Sequence, residues 1–289
     1  MSLPALELKS PLSAAYDHCE ALTRRASSNF YWGFRLLPHD RRRALCAVYA
    51  FCRAADDIAD EPGAARDPER LLARWRAELE AVYAGRPRHP IGVALADTAE
   101  RFAIPREHFE AVIAGVEMDL RRNRYETWED ELAEYCYRVA GAVGLVCIEV
   151  FGYRDRERQA RSDDICTALQ LTNFWQDVAA DLTRGRVYIP QEDLDRFPAS
   201  RAALEARVVN DDFRRLLAFE VARTRDLFVR GLALAGMVTG RLAREVRVFA
   251  RGGLAILDRI VAADYDVFAR RPTLTRGDLA RLVLRGLLG

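Results

Sequence analysis

The chain has 289 residues, half of them hydrophobic, and a formal net charge of +1. That is enough apolar material for one large or two ordinary cores, and the near-neutral charge excludes a bulk attraction to nucleic acid. No stretch reaches transmembrane length, and the N-terminus MSLPALELKSPLS has no basic region followed by an apolar run, so a cytoplasmic chain is expected, able to rest peripherally on the inner face of a membrane.

Helix signals recur from end to end and strand signals are nearly absent. A first helix is predicted over about 13–26, after Pro11, followed by the polar, aromatic segment SSNFYW at 27–32. Pro38 opens the next helix, which carries YAFCRAADDIADE at 49–61. Asp56 and Asp60 are four apart, which places them about 40° apart around a helix and about 6 Å apart along it. Tyr49 and Arg53 continue that polar stripe, while Leu45, Val48 and Phe51 form apolar surface. Asp57 and Glu61 crowd the same end before Pro62 and Gly63 stop the helix. Four acids then lie where unpaired carbonyls already make the end negative, with nothing local to neutralise them, an arrangement that awaits a cation.

Asp67 and Pro68 read as N-cap and first residue of a helix ended by Gly85, with Leu71, Leu72, Trp75, Leu79 and Val82 on its inner face. Helices follow near 91–103 and 105–122. Thr127 and Asp130 resemble a capping pair before a long helix to about Val150. Its run VAGAVG at 139–144 places two glycines inside a helix, each costing about 1 kcal/mol relative to alanine. Close helix packing or room for a long apolar substrate would repay that. The next helix, from about 155 or 161 to Gly185, repeats the acidic pattern: Gln170, Asn173, Asp177 and Asp181 follow steps of three, four and four. The loop RGRVYIPQED, with Arg184, Arg186 and Tyr188, comes directly after. Helices over about 210–236, 239–268 and 275–287 complete an all-α chain, 1–289, read as a single domain.

Two oxygen-rich helix ends could close on shared Mg²⁺, which takes a few carboxylates, several waters and substrate phosphates. Arg53 and Arg186 add phosphate-binding capacity. The ensemble suits a diphosphate ester in an apolar helical cavity, with aromatic faces such as Phe30, Tyr31, Tyr135 and Tyr137 to stabilise a carbocation. The six cysteines (Cys19, Cys46, Cys52, Cys136, Cys147, Cys166) lack CxxC spacing and read as core residues. Lys9 is the only lysine. The arginine bias reflects genome composition before function, although arginine also suits bidentate phosphate binding.

The segments SSNFYWGFRLLP, AVYAFCRAADDIADE, YCYRVAGAVG, LQLTNFWQDVAADLTRGRVYIPQEDL and AILDRIVAADYDVFARRP resemble the squalene/phytoene synthase family of head-to-head prenyl transferases, over nearly the whole chain. The resemblance implies the isoprenoid (terpenoid) synthase fold, a helical bundle around a central cavity. It implies Mg²⁺ held by Asp56, Asp60, Asp177 and Asp181 with Asn173 nearby, and diphosphate contacts from Ser27, Tyr49, Arg53, Gln170 and Arg270. Tyr135 matches a tyrosine near the reacting carbons. Within the family, the second motif and Gly253, where phytoene and dehydrosqualene synthases usually have tyrosine, lean toward bacterial hopanoid-cluster squalene synthases acting on farnesyl or presqualene diphosphate. SSNFYWGFRLLP looks more like phytoene synthases or presqualene diphosphate synthases. NADPH is compatible with the sequence but not required by it, and a non-catalytic helical scaffold is the remote alternative.

Overall fold

The computed structural model describes residues 10–26, 34, 37–60, 67–275 and 277–278, with the backbone alone at Asp60. Among these the chain is helical with no strand, apart from one isolated parallel bridge between Arg124 and Val187. It divides into two compact units, residues 1–116 with 149–152, and residues 117–148 with 153–289.

In the first unit, Ser10 caps the Pro11–Arg25 helix by accepting from Ser13 N at 3.2 Å, with Pro11 at the first helical position, where its missing N–H costs nothing. Asp67 does the same for Pro68–Tyr83, accepting from Arg70 N at 2.9 Å, and Gly85 leaves that helix with φ +71°. The helix His39–Asp60 packs on Pro11–Arg25, Pro68–Tyr83 and Pro90–Phe102. Its apolar stripe behaves as the periodicity requires: Leu45, Val48 and Phe51 are buried, and Phe51 lies between Trp75 at 5.1 Å and Phe109 at 5.3 Å. Arg106–Arg121 begins in this unit. His108, on that helix, meets Glu149 at 3.1 Å, both side chains buried.

The second unit is built on Arg156–Thr183, against which Asp211–Gly231, Gly240–Ala262 and the turn Tyr137–Gly141 pack. Asp155 caps this helix and Gly185, at φ +73°, follows its end. One face is apolar and buried, with Leu171, Phe174, Trp175 and Val178, and Trp175 Nε1 donates to Thr224 Oγ1 at 2.8 Å.

Four expectations need correcting. The segment from Trp128 to Val150 is helical but not one α-helix: Trp128–Leu132 and Tyr137–Gly141 are π-turns, flanking the α-helical turn Ala133–Cys136 that holds Tyr135. Thr127 makes no capping hydrogen bond; Glu131 instead accepts from Glu126 N and Glu192 from Trp128 N, both at 2.6 Å. The helix expected to reach 268 stops at Ala262, because Asp264 and Tyr265 both take left-handed conformations and turn the chain back. Two short helices follow, Gln191–Arg196, which begins inside the stretch 184–193 read as loop, and Pro198–Ala206. Most of the helix expected at 275–287 lies outside the described residues.

Glycines account for the close approaches in this unit. A methyl on Gly141 would meet Asp163, one on Gly144 would meet Cys166 and Ser162, and one on Gly231 would lie 2.9 Å from the Ile165 backbone nitrogen. Close helix packing is therefore what the two glycines at 141 and 144 serve. Cys19, Cys46 and Cys136 are buried, and burial pushes the Cys19 thiol up to about 12.

Candidate active site

The first acidic helix presents Tyr49 half-buried and Arg53 and Asp56 exposed. Its charge is not left uncompensated, contrary to the sequence reading: Arg53 Nη2 pairs with Asp57 Oδ1 at 2.6 Å, one turn on. Asp57 was taken as crowding the end; the i,i+4 geometry makes it the partner of Arg53. Arg53 is exposed and Asp57 partly so, which keeps the contribution of the pair to the helix to about 1 kcal/mol. Asp60 is the last residue of the helix; its side chain lies outside the described residues, as do Ser27, Phe30 and Tyr31.

On the second acidic helix, Gln170, Asp177 and Asp181 are partly buried and Asn173 is exposed, along the face opposite Trp175. Asp177 accepts two hydrogen bonds from Arg271, Nε to Oδ1 at 2.5 Å and Nη2 to Oδ2 at 2.8 Å. Arg270, the residue expected to contact phosphate, is exposed, and it is its neighbour Arg271 that pairs with Asp177. Burial pushes the Asp181 carboxyl up to about 7; the Asp177 charge adds to this, Arg184 and Arg186 offset part of it, and Asp119 raises it further.

Asp119, which the sequence reading did not single out, organises the rest. The Tyr135 hydroxyl reaches both of its oxygens, at 2.8 and 2.7 Å, and the Tyr188 hydroxyl donates to Oδ1 at 3.2 Å. Tyr135 is 3% exposed, and burial together with the Asp119 charge holds its phenol firmly protonated, as a donor. Tyr188 stacks on Phe174 with centroids 3.9 Å apart and lies 5.7 Å from Tyr135, so three rings make one aromatic wall. The RGRVYIPQED loop is held there by backbone pairing: Val187 N donates to Asn123 O at 2.8 Å and Gln191 N to Tyr125 O at 2.9 Å. A small pocket beside the wall is lined by Phe174, Asp181, Arg186 and Tyr188 among others. The structure thus brings Tyr135, Asp177, Asp181 and Arg186 into one neighbourhood of the second unit, and leaves Tyr137 exposed. A signal for Asp119 did exist: it follows the buried positions Phe109, Val112 and Val116 at helical spacing, an acid in register with a core stripe.

These donors fit Mg²⁺. Asp177 and Asp181 offer hard carboxylate oxygens one turn apart, the second driven toward neutrality in part by the first, and a guanidinium already sits on Asp177 as a cation would. Among the described residues no three His, Cys, Asp or Glu side chains could hold a metal alone. Magnesium does not need them to, since it completes its octahedron with water and phosphate oxygens.

Comparison with known proteins shows what this arrangement belongs to. A family model described as squalene/phytoene synthase matches residues 23–278. The 15-cis-phytoene synthase of Synechocystis sp. is 38% identical over 283 residues, 93% of this chain and 83% of that protein. Phytoene synthase 2 of Solanum lycopersicum is 37% identical, covering 90% and 86%. Among solved structures, the squalene synthase HpnC from Alicyclobacillus acidocaldarius matches with a TM-score of 0.85 and 37% identity over 90% of this chain and 97% of its own. A dehydrosqualene synthase matches with a TM-score of 0.86 and 25% identity, over 96% and 98%.

Proposed function

The chain belongs to the squalene/phytoene synthase family of prenyl transferases, and on that footing we propose that it acts on C15 allylic diphosphates in squalene-type, C30 synthesis. Its substrate is farnesyl diphosphate or the presqualene diphosphate formed from it, and its product squalene or hydroxysqualene. The observation that carries the reading is the Asp177/Asp181 pair, one helical turn apart and beside an aromatic wall. Such a place can receive a diphosphate at one end and shelter a developing cation along the other.

In this proposal Asp56, Asp60, Asn173, Asp177 and Asp181 are the groups that would hold Mg²⁺, whose chemistry there would be to neutralise charge on the departing diphosphate. Arg53 exchanges its partner Asp57 for phosphate oxygens, while Tyr49, Gln170, Arg186 and Arg270 orient the same group, with Ser27. Tyr135, fixed by Asp119, offers a protonated phenol at a set orientation, and the faces of Tyr135, Phe174 and Tyr188 meet the cation once diphosphate leaves. Capture of the last cation by an external hydride gives squalene and capture by water, with loss of a proton, gives hydroxysqualene; only the first needs NADPH. Among the described residues no helix is long and apolar enough to cross a membrane, and an apolar product is consistent with peripheral attachment.

The C15 reading rests on the 37% identity to the squalene synthase structure and on Gly253. A methyl at Gly253 would run into the Phe228 ring, so the helices at this point are packed for glycine. A second reading, phytoene synthase joining two C20 diphosphates, is favoured by the 38% identity to the cyanobacterial enzyme. Incubation with Mg²⁺ and, separately, farnesyl, geranylgeranyl and presqualene diphosphates, with and without NADPH, separates them. C30 hydrocarbon or alcohol supports the first reading; turnover of the C20 substrate alone replaces it with the second, and no turnover of any substrate refutes both.

A further inference from the structure

One contact at the second acidic helix is not needed for the fold. The segment after the turn at Asp264 and Tyr265 lies against Arg156–Thr183, where Gln176 Nε2 donates to Pro272 O at 2.6 Å and Val267 is 1% exposed. These buried contacts fix the backbone on either side of Arg271. The Arg271 side chain itself is half-exposed, and its bidentate pairing with Asp177 adds little to a backbone already held. What the pair does is chemical: both oxygens of a carboxylate next to Asp181 already carry a cation.

We propose that Arg271 is a resident counter-cation for Asp177 that a divalent metal must displace, so that it weakens metal binding at the second acidic helix until a diphosphate arrives. This rests on the metal role proposed for Asp177 and Asp181. A divalent ion coordinated to Asp177 would sit within a few ångströms of a fixed positive charge hydrogen-bonded to the same oxygens, and like charges at that distance repel. A planar guanidinium offers two parallel donors that an ammonium cannot, which makes the hold specific to arginine. Its exposure lets the side chain swing away without dismantling the buried Gln176–Pro272 contact. The incoming diphosphate brings negative charge that removes the repulsion, so metal and substrate would bind cooperatively, metal alone weakly.

The test is Mn²⁺ binding to the whole protein without substrate, followed by the loss of the free-ion electron paramagnetic resonance signal, for wild type, Arg271→Gln, Arg271→Lys, Asp177→Asn and Asp181→Asn. Arg271→Gln is expected to bind Mn²⁺ about two- to fivefold more tightly, the size of a half-exposed charged pair removed. Arg271→Lys should fall between, and adding inorganic pyrophosphate should shrink the difference. Melting temperature should move little, since Gln176 and Val267 still anchor the segment. Mn²⁺ affinity unchanged or weaker in Arg271→Gln, with binding lost in Asp177→Asn, would overturn the role of Arg271 while leaving the metal role intact. Unaltered binding in both Asp177→Asn and Asp181→Asn would remove the metal role itself and this inference with it.

Discussion

Gly144 makes two physical accounts give opposite signs. If the glycines at 141 and 144 existed to leave room, a methyl at 144 would enter empty space, and alanine's better helix propensity would stabilise the protein by about 1 kcal/mol. In the structure that methyl collides with Cys166 Sγ and lies 2.9 Å from Ser162 Oγ, both on Arg156–Thr183. Overpacking of this kind costs about 1–3 kcal/mol, so Gly144→Ala should lose about 1–2 kcal/mol net. With an unfolding entropy of about 2.1 cal/mol/K per residue, a 289-residue chain loses about 3 °C of Tm for 2 kcal/mol. Cys166→Ala should cost about 1 kcal/mol as a small cavity, yet in the double variant the Sγ collision is gone, leaving the new methyl against Ser162 Oγ at 2.9 Å and the Cβ of residue 166 at 3.5 Å. The pair should therefore be coupled by at least about 1 kcal/mol in a double-mutant cycle measured by urea unfolding. Strict additivity, or a Gly144→Ala variant as stable as wild type, would show that the helices do not touch as described.

Three further outcomes follow from particular contacts. Asp119→Asn and Tyr135→Phe should each cost about 1–3 kcal/mol and the double variant less than their sum, because both remove the same charged hydrogen bond; urea unfolding measures it. Glu220 is fully buried with Arg223 and Asp193, and burial raises its carboxyl well above the usual range. A raised acid means the folded state holds the extra proton, so its contribution is present below about pH 4.5 and is lost as pH rises. Glu220→Gln should flatten the decline of Tm between pH 5 and 8 relative to wild type, and parallel curves would sink that reasoning. Asp56→Asn and Asp177→Asn should lower turnover by about two orders of magnitude or more while shifting Tm by no more than about 2 °C, since both side chains are partly or largely exposed; near-normal turnover in both would refute their assignment.

What the sequence by itself determined is what depends on neighbours a few residues apart. Ser10 and Asp67 cap their helices, Leu45, Val48 and Phe51 face inward, and Gln170, Asn173, Asp177 and Asp181 share a stripe. Each follows from a 3.6-residue period and from backbone donors that need an acceptor at a helix start. The family, too, was legible, because the acidic motifs and their flanks are short contiguous strings, matched by the family model over residues 23–278. Only the tertiary structure decided which charges meet. Arg271 reaches Asp177 across 94 positions, and Tyr188 reaches Asp119 across 69. It is these distant meetings that decide whether a carboxylate is shared, neutralised or left for a metal. No local pattern distinguishes Arg271 from Arg270, or says which hydroxyls will meet Asp119, because a side chain's partner is set by how the helices pack, and packing is the sum of many contacts distant in the chain.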